Sequence, residues 1–297
     1  MKKQLFIIAF LGTIHATNAQ YTKDINTNRP SSSMGAYSVS KEIFQIEGGF
    51  SYQNDTFENN NENKQQNYQI QLRYGDLLEQ LEFIGEFNFS SNQITNGNLN
   101  ETNSGFRQLN FGAKFLLYDH YKYYVEKRNV YSWKANQRFK WKRLIPAISI
   151  YAGAQFNTKN NLYYPNLPDV GLKTMLIAQQ HLSKRFSITY NFIGENVTEN
   201  EFINIGYIVT ASLGINNNWS LFGEHQGSIS RKYFNQTVPF ENDAFLKVGI
   251  TFKVHQNLQI DGFTGSNFQN NPNKIQAGLG VSWRNHKKYQ FKDPTEL

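Results

Sequence analysis

The chain of 297 residues contains no cysteine, and after its first residues it has no apolar run of about 20 residues. The first absence excludes disulfides, so an exported protein of this composition depends on packing and hydrogen bonding for its stability. The second excludes a membrane-spanning helix after the N-terminus. A transmembrane β-barrel is still possible, because its strands alternate lipid-facing and lumen-facing residues and their average hydropathy resembles that of a soluble protein.

A strong charge of one sign is also lacking. The chain has 30 basic and 23 acidic residues, a formal charge of +7, which falls to +5 if Lys2 and Lys3 are removed. Such a mild excess gives no reason to expect nucleic acid as a partner. The histidines have no metal-ligand spacing, and no glycine-rich stretch ends in Gly-Lys-Ser/Thr. We therefore predict no metal and no cofactor.

The N-terminus predicts export. Lys2 and Lys3 precede the apolar residues 5–12, and Thr17-Asn18-Ala19 places small residues before a cleavage point at Gln20. This pattern is typical of a secretory signal peptide. We expect a signal peptide at residues 1–19, an N-terminal periplasmic segment at 20–42, a barrel at 43–286 and a C-terminal tail at 287–297.

Strict alternation predicts the strands. In "KIQAGLGVSW", residues 274–283, one parity is apolar and the other is polar or glycine, so one face of a strand meets an oily medium and the other a wet one. Similar segments recur about twelve times, each near the length of a tilted membrane crossing. We predict strands at 43–52, 67–74, 81–89, 107–117, 145–156, 171–182, 186–195, 203–215, 219–230, 244–255, 258–265 and 274–284.

The links between these strands alternate in length. Long polar linkers at 53–66, 90–105, 157–169, 196–202 and 231–243 take turns with tight links such as 183–185, 216–218 and 256–257. Short periplasmic turns and longer external loops are typical of outer-membrane barrels, so we favour a barrel over a soluble β-sandwich.

The long link 118–143 breaks this alternation of loop lengths. Its interleaved basic and aromatic residues suit a solvated loop, anionic lipid or, less well in an exported protein, nucleic acid.

Two stretches carry a family resemblance. Thr27-Asn28-Arg29-Pro30 is followed by "YSVSKEIFQIEGGFSY", and the C-terminal part contains "LFGEHQGS", "LKVGITFKVHQNLQIDGFTG" and "AGLGVSW". These motifs resemble the outer-membrane barrel family named for transport and for the meta-pathway of phenol degradation. Asn28 stands where that family usually has Asp, and Glu42 stands at or near a usual Gly. The resemblance implies outer-membrane localisation in a Gram-negative bacterium and a barrel fold.

The inward parity of the predicted barrel holds charges of both signs. They would form either a pore lining or a salt-bridged plug. Glu47, Glu224 and Asp261 lie in the family-like stretches and are the first candidates. The candidate lumen-lining residues are Glu47, Arg73, Glu86, Lys114, Glu224, Lys247, Lys253 and Asp261.

We predict an all-β protein: a transmembrane antiparallel barrel of about 12 strands, monomeric or weakly oligomeric, in contact with outer-membrane lipid. Its predicted function is passive uptake of small molecules, including partly hydrophobic or aromatic ones. One alternative is a plugged structural or adhesion barrel without transport. Another is a barrel lipase or protease, for which His225 and Ser228 are the nearest candidates, but their spacing puts them on opposite faces of a strand. We therefore predict that the protein is not an enzyme.

Overall fold

Twelve antiparallel strands form a closed barrel, in which each strand pairs with its neighbours in the chain and β1 pairs with β12. The computed structural model describes residues 24–57, 61–76, 78–97, 99–120, 130–131, 141–158, 168–199, 202–230, 244–268 and 272–285, without the side chains of 96, 229 and 230. The strands are β1 (Ile43–Thr56), β2 (Glu62–Gly75), β3 (Leu81–Asn96), β4 (Leu99–Tyr118), β5 (Ala147–Phe156), β6 (Val170–His181), β7 (Phe186–Glu195), β8 (Asn204–Gly214), β9 (Trp219–Ser230), β10 (Phe245–His255), β11 (Leu258–Asn267) and β12 (Asn273–Arg284). In these ranges, no helix has the length and apolar character needed to cross a membrane.

The outer face of the barrel is apolar and its inner face is polar. In β12, Leu279 and Trp283 are 70% and 46% exposed on the outside, whereas Ser282 and Arg284 are almost completely buried on the inside. Other strands repeat the pattern, for example β2, where Ile70 is exposed and Arg73 is buried. An apolar surface that runs around a closed ring suits lipid, and the predicted alternation is confirmed.

An even number of strands brings the start of β1 and the end of β12 to the same end of the barrel, which we call the terminal end; Asp24 also lies there, paired with Lys253. The tight links 182–185, 215–218 and 256–257 lie there, and the hairpins β1–β2 and β3–β4 lie at the opposite, hairpin end. By the rule that short turns are periplasmic, the terminal end faces the periplasm. The link between β4 and β5 is again the exception, and most of it lies outside the described residues.

All twelve predicted strands are present, but β1 to β4 are longer than predicted. The segments 53–66 and 90–105, predicted as external loops, are largely strand, since pairing continues to Thr56 with Glu62 and to Asn96 with Leu99. Beyond the bilayer both faces of a hairpin meet water, so the apolar alternation stops while the backbone pairing goes on. The loss of alternation therefore marked the membrane boundary instead of the strand end.

The prediction of a periplasmic position for residues 20–42 is wrong for the part that the structure describes. Residues 24–40 lie inside the barrel and contact inward-facing side chains of strands all around the ring, including Glu82 of β3, Asn191 of β7 and Asp261 of β11. The physical reason is that a polar barrel interior must find hydrogen-bond partners, and this segment supplies them. We call residues 24–40 the plug segment. Residues 1–23 and 286–297 are outside the described ranges.

Candidate functional site in the barrel lumen

The plug segment enters and leaves the lumen at the terminal end. Near its start, Ile25 N donates to the carbonyl of Gln256 at 2.8 Å, in the turn between β10 and β11. Near its end, Ser38 Oγ donates to the carbonyl of Gln80 at 2.9 Å, in the link between β2 and β3. Between these points the chain reaches Ser32, whose N–H donates to Glu224 at 2.8 Å. The segment is thus a loop inserted from the terminal end, with an outgoing limb, a tip and a returning limb.

Side chains of the barrel wall accept hydrogen bonds from the backbone N–H groups of the plug segment. On the outgoing limb, Asn28 N and Arg29 N each donate to Oε2 of Glu47 at 3.0 Å. On the returning limb, Ala36 N donates to Gln179 at 2.9 Å and Val39 N to Glu82 at 3.2 Å. A buried irregular segment has no ladder partner for these groups, so the inward side chains take the place of a neighbouring strand.

A buried ionic cluster holds both limbs against β1 to β4. Arg73 bonds Glu47 at 2.9 Å and also pairs with Glu82, and Lys114 lies 2.9 Å from Glu82. All four side chains are fully buried. Lys114 Nζ also donates to the carbonyls of Gly35 and Tyr37 at 2.9 Å. Because ions are buried only when paired, this side of the lumen is sealed by mutually dependent charges.

Arg29 of the outgoing limb lies flat on the seam where the first and last strands meet. Its guanidinium pairs with Asp261 at 3.1 Å and donates to the carbonyl of Leu279 at 3.2 Å. Gly49 and Gly280 are directly opposite each other beneath it. A Cβ at Gly49 would stand 2.1 Å from Arg29 Nη1, and one at Gly280 would stand 2.2 Å from Nε. The glycine pair therefore provides the space that the guanidinium occupies.

The returning limb also has an apolar contact. Met34 and Ala36 are buried in a cluster with inward side chains of β3 to β6. The residues of the barrel wall in this cluster are Ile84, Leu116, Ala147, Tyr151, Met175 and Ile177. A lumen that held only water would not favour apolar side chains on this inner face, so the cluster is a small core between plug and wall.

A cavity of about 350 Å³ lies between the tip of the plug segment and the hairpin end of the barrel. We call it the vestibule. Its floor is the tip, and its wall combines the ion pair Lys173–Glu86, at 3.0 Å, with amide and apolar side chains. The inward residues that line it include Glu86, Gln108, Lys173, Met175, Ile193, Glu195, Ile208, Gln226, Lys247 and Phe263.

The structure places all eight predicted lumen residues on the inner side, in four different situations. Glu86 and Lys247 line the vestibule, and Glu47 contributes to its floor. Arg73 and Lys114 are sealed in the ionic cluster; Glu224 and Asp261 hold the plug segment. Lys253 lies at the terminal end, where it pairs with Asp24 at 2.5 Å.

The residues of the plug segment and their amide partners on the wall were not among the predicted site residues. Asn191 is the clearest case, because its Oδ1 accepts from Met34 N at 2.6 Å and its Nδ2 donates to the Met34 carbonyl at 2.9 Å. Its inward parity was readable from the sequence, but an uncharged residue gave no reason to select it. Arg29 had a signal in the motif Thr27-Asn28-Arg29-Pro30, which we used only for the resemblance.

Nothing in the described geometry adds a catalytic or metal centre. Among the described residues, no group of three or more His, Asp and Glu side chains is placed to hold a metal ion. The ring of His225 stacks on Tyr207 at 5.7 Å between centroids, and its Nδ1 lies 3.2 Å from the tyrosine hydroxyl. Both residues belong to the outward parity of their strands, away from the lumen.

A closed barrel with an apolar exterior, a polar interior and an internal vestibule has the fold of outer-membrane channels. Residues 27–285 match the family described as "Putative MetA-pathway of phenol degradation". The chain belongs to this family, which confirms the resemblance drawn from its motifs.

One solved structure agrees on the fold. The COG4313 outer membrane channel from Pseudomonas putida F1 is similar with a TM-score of 0.56 and 9% identity, over 88% of this chain and all of that one. Weaker similarity links the chain to the CymD monoaromatic hydrocarbon channel (TM-score 0.44, 10% identity, 84% and 90% of the two chains) and to the NanC porin (0.46, 7%, 81% and 98%). A search among curated proteins gave no match.

Proposed function

We propose that the protein is an outer-membrane channel through which small molecules pass passively, and that they enter it by the vestibule. The observation that carries this proposal is a cavity of about 350 Å³ whose floor is an inserted loop instead of the barrel wall. Cavities of about 300–1,000 Å³ are typical of small-molecule sites. An irregular loop held by side chains moves more easily than a strand, so movement of this loop opens a path from the vestibule towards the terminal end of the lumen.

The wall chemistry supports a small, partly apolar solute. Met175, Ile193 and Ile208 lie on adjacent strands and give the vestibule an apolar side, while Lys173 and Glu86 give it a charged one. A molecule with one apolar face and one polar group satisfies both. The phenol degradation in the family's description agrees with this chemistry.

The barrel is complete within one chain, and its apolar exterior suits lipid on all sides, so we infer that it works as a monomer in the outer membrane. We ascribe no catalytic step to it, and no nucleic acid partner.

Single-channel conductance of the refolded chain in planar bilayers tests the proposal. We expect discrete openings, and we expect Lys173→Met to shift the ion selectivity towards cations, because it removes a positive charge from the vestibule wall. Lys64→Met is the matched control, since Lys64 is exposed on the outer part of the β1–β2 hairpin and pairs with Glu62 at 2.8 Å.

A second candidate is a plugged structural barrel without transport. The density of contacts between plug segment and wall favours it, above all the fully buried ionic cluster around Arg73. Folded and inserted protein that stays silent in the bilayer, as wild type and as variant, would support this candidate and contradict the channel.

A further inference from the structure

The tip of the plug segment, residues 31–34, is held differently from its two limbs. The limbs are bound by the ionic cluster and, through Ala36, by the apolar core on β1 to β6, to which Met34 of the tip also belongs. The tip is bound by β7, β9 and β10: Asn191 makes two hydrogen bonds to the backbone of Met34, Glu224 accepts from Ser32 N, and Lys247 Nζ donates to Ser32 Oγ at 2.5 Å. Within the described ranges, these are the hydrogen bonds that join the tip to that side of the wall.

Below the tip, the same side of the wall is lined by small hydroxyl side chains. On the inward parity of β7 to β10 these are Ser187, Thr189, Thr210, Ser212, Ser220 and Thr251, and the buried ring of Phe222 lies among them over Gly249. Those nearest the terminal end, such as Ser187 and Ser212, are partly exposed, whereas Thr189 and Thr210 at the level of the tip are buried. Apart from the Phe222 ring, these small polar side chains leave space that the charged side chains of β1 to β4 fill on their side of the lumen.

The barrier on this side therefore consists of the layer of side chains around the tip and the Phe222 ring beneath it. Above it, Ile193 and Ile208 line the vestibule. Within it lie Asn191 and Glu224, both almost fully buried against the tip. Below them lie the Phe222 ring and the partly exposed row of serine and threonine hydroxyl groups. The sealed cluster around Arg73 lies on the opposite side of the lumen.

We propose that the solute path runs along the inner faces of β7 to β10, and that the tip is its gate, held shut by Asn191 and Glu224 while the two limbs stay anchored. The proposal rests on the channel function proposed above and adds the route and the gate residues. Displacement of residues 31–34 alone joins the vestibule to the hydroxyl-lined passage. The ionic cluster and the contacts of Ala36 in the apolar core stay intact during this opening, while Met34 leaves that core.

The first test is Asn191→Ala, which removes both bonds to Met34. Two neutral hydrogen bonds correspond to an increase of about tenfold to a hundredfold in the ratio of open to closed time in single-channel records. The matched control is Asn67→Ala. Asn67 is also a buried inward asparagine with two side-chain bonds, but its partners, Gln65 and Ser90, belong to the wall. Equal records from the two variants would overturn the gate assignment.

The second test uses the absence of cysteine in the chain. A short bismaleimide that joins Met34→Cys to Asn191→Cys should lock the tip and abolish openings. The same reagent between Ser38→Cys and Gln80→Cys, at the base of the returning limb, should leave the openings unchanged. Openings that persist after the tip is locked would refute the route while the channel function stands. Silence of every variant before cross-linking, Asn191→Ala included, would refute the channel function itself.

Discussion

The glycine pair at the barrel seam gives the sharpest prediction. Substituting both Gly49 and Gly280 with Ala places two methyl groups where the guanidinium of Arg29 now lies, at 2.1 and 2.2 Å from its atoms. Neither glycine has a positive φ, so alanine fits the strand backbone at both positions. We expect the barrel to fold and Arg29 to leave its place on the wall, which weakens the docking of the outgoing limb.

The magnitude follows from the bonds that Arg29 makes. The guanidinium contacts Asp261 through two nitrogens, at 3.1 and 3.4 Å, and the carbonyl of Leu279 at 3.2 Å. Hydrogen bonds to charged groups contribute about 1.5–3 kcal/mol each, and the Asp261 side chain, which is fully buried, would lose its ion-pair partner. Allowing for partial rearrangement of a flexible side chain, we expect a loss of about 2–4 kcal/mol in docking free energy, which raises the undocked population about thirtyfold to several hundredfold.

The assay is the rate at which a membrane-impermeant maleimide labels a reporter cysteine, Ser33→Cys, since Ser33 is 5% exposed when the plug segment is docked. The control carries Gly48→Ala and Gly223→Ala, because a Cβ at either of these positions meets nothing within 4 Å. We expect faster labelling in the Gly49 and Gly280 variant than in the control. Equal rates in the two proteins would show that Arg29 does not hold the plug segment.

Three further predictions concern the free energy of unfolding, measured by urea titration in lipid vesicles. Arg73→Met should cost about 3–5 kcal/mol, because it leaves the buried Glu47 without its cationic partner and Glu82 with Lys114 alone; a loss below 1 kcal/mol would contradict the sealed cluster. Lys253→Ala should cost less than about 1 kcal/mol, since its pair with Asp24 is partly exposed to solvent, and a large loss would argue against a peripheral role. Ile177→Ala should cost about 2–5 kcal/mol through loss of the apolar core, more than the outward-facing Ile150→Ala; equal losses would count against a packed contact inside the lumen.

The sequence allowed the barrel to be predicted because lipid and lumen impose opposite demands on alternate residues. In β12 the apolar set Ile275, Leu279 and Val281 and the polar set Gln276 and Ser282 separate without exception, and the other strands repeat this signal on their outer faces, although several carry inward apolar residues such as Met175 and Ile177. The number of strands and the set of inward-facing charged residues follow directly from this alternation. The extension of β1 to β4 beyond the membrane could not be predicted, because water on both faces removes the demand that creates the signal.

The position of the plug segment could not be predicted from the sequence for a different reason. It has no periodicity, and its partners are distant in the chain: Arg29 bonds Asp261, and Met34 bonds Asn191. The alternation along the strand predicts that Asp261 faces inward, but it does not predict which group Asp261 contacts there. The alternative of a salt-bridged interior was half right, since Glu47 pairs with Arg73 and Glu224 with Lys247, while Asp261 pairs with a residue assigned to the periplasm.

The position of Arg29 has a consequence for the order of assembly. Its side chain rests on Gly49 of the first strand and on Gly280 of the last, and these two positions become neighbours only when the ring closes. During biogenesis the chain therefore cannot complete this contact before β12 has joined β1. A one-residue slip of that final pairing would replace Gly280 in the pair with Leu279 or Val281, and would separate the two glycines. Docking of Arg29 thus acts as a check that the last strand has closed in the correct register.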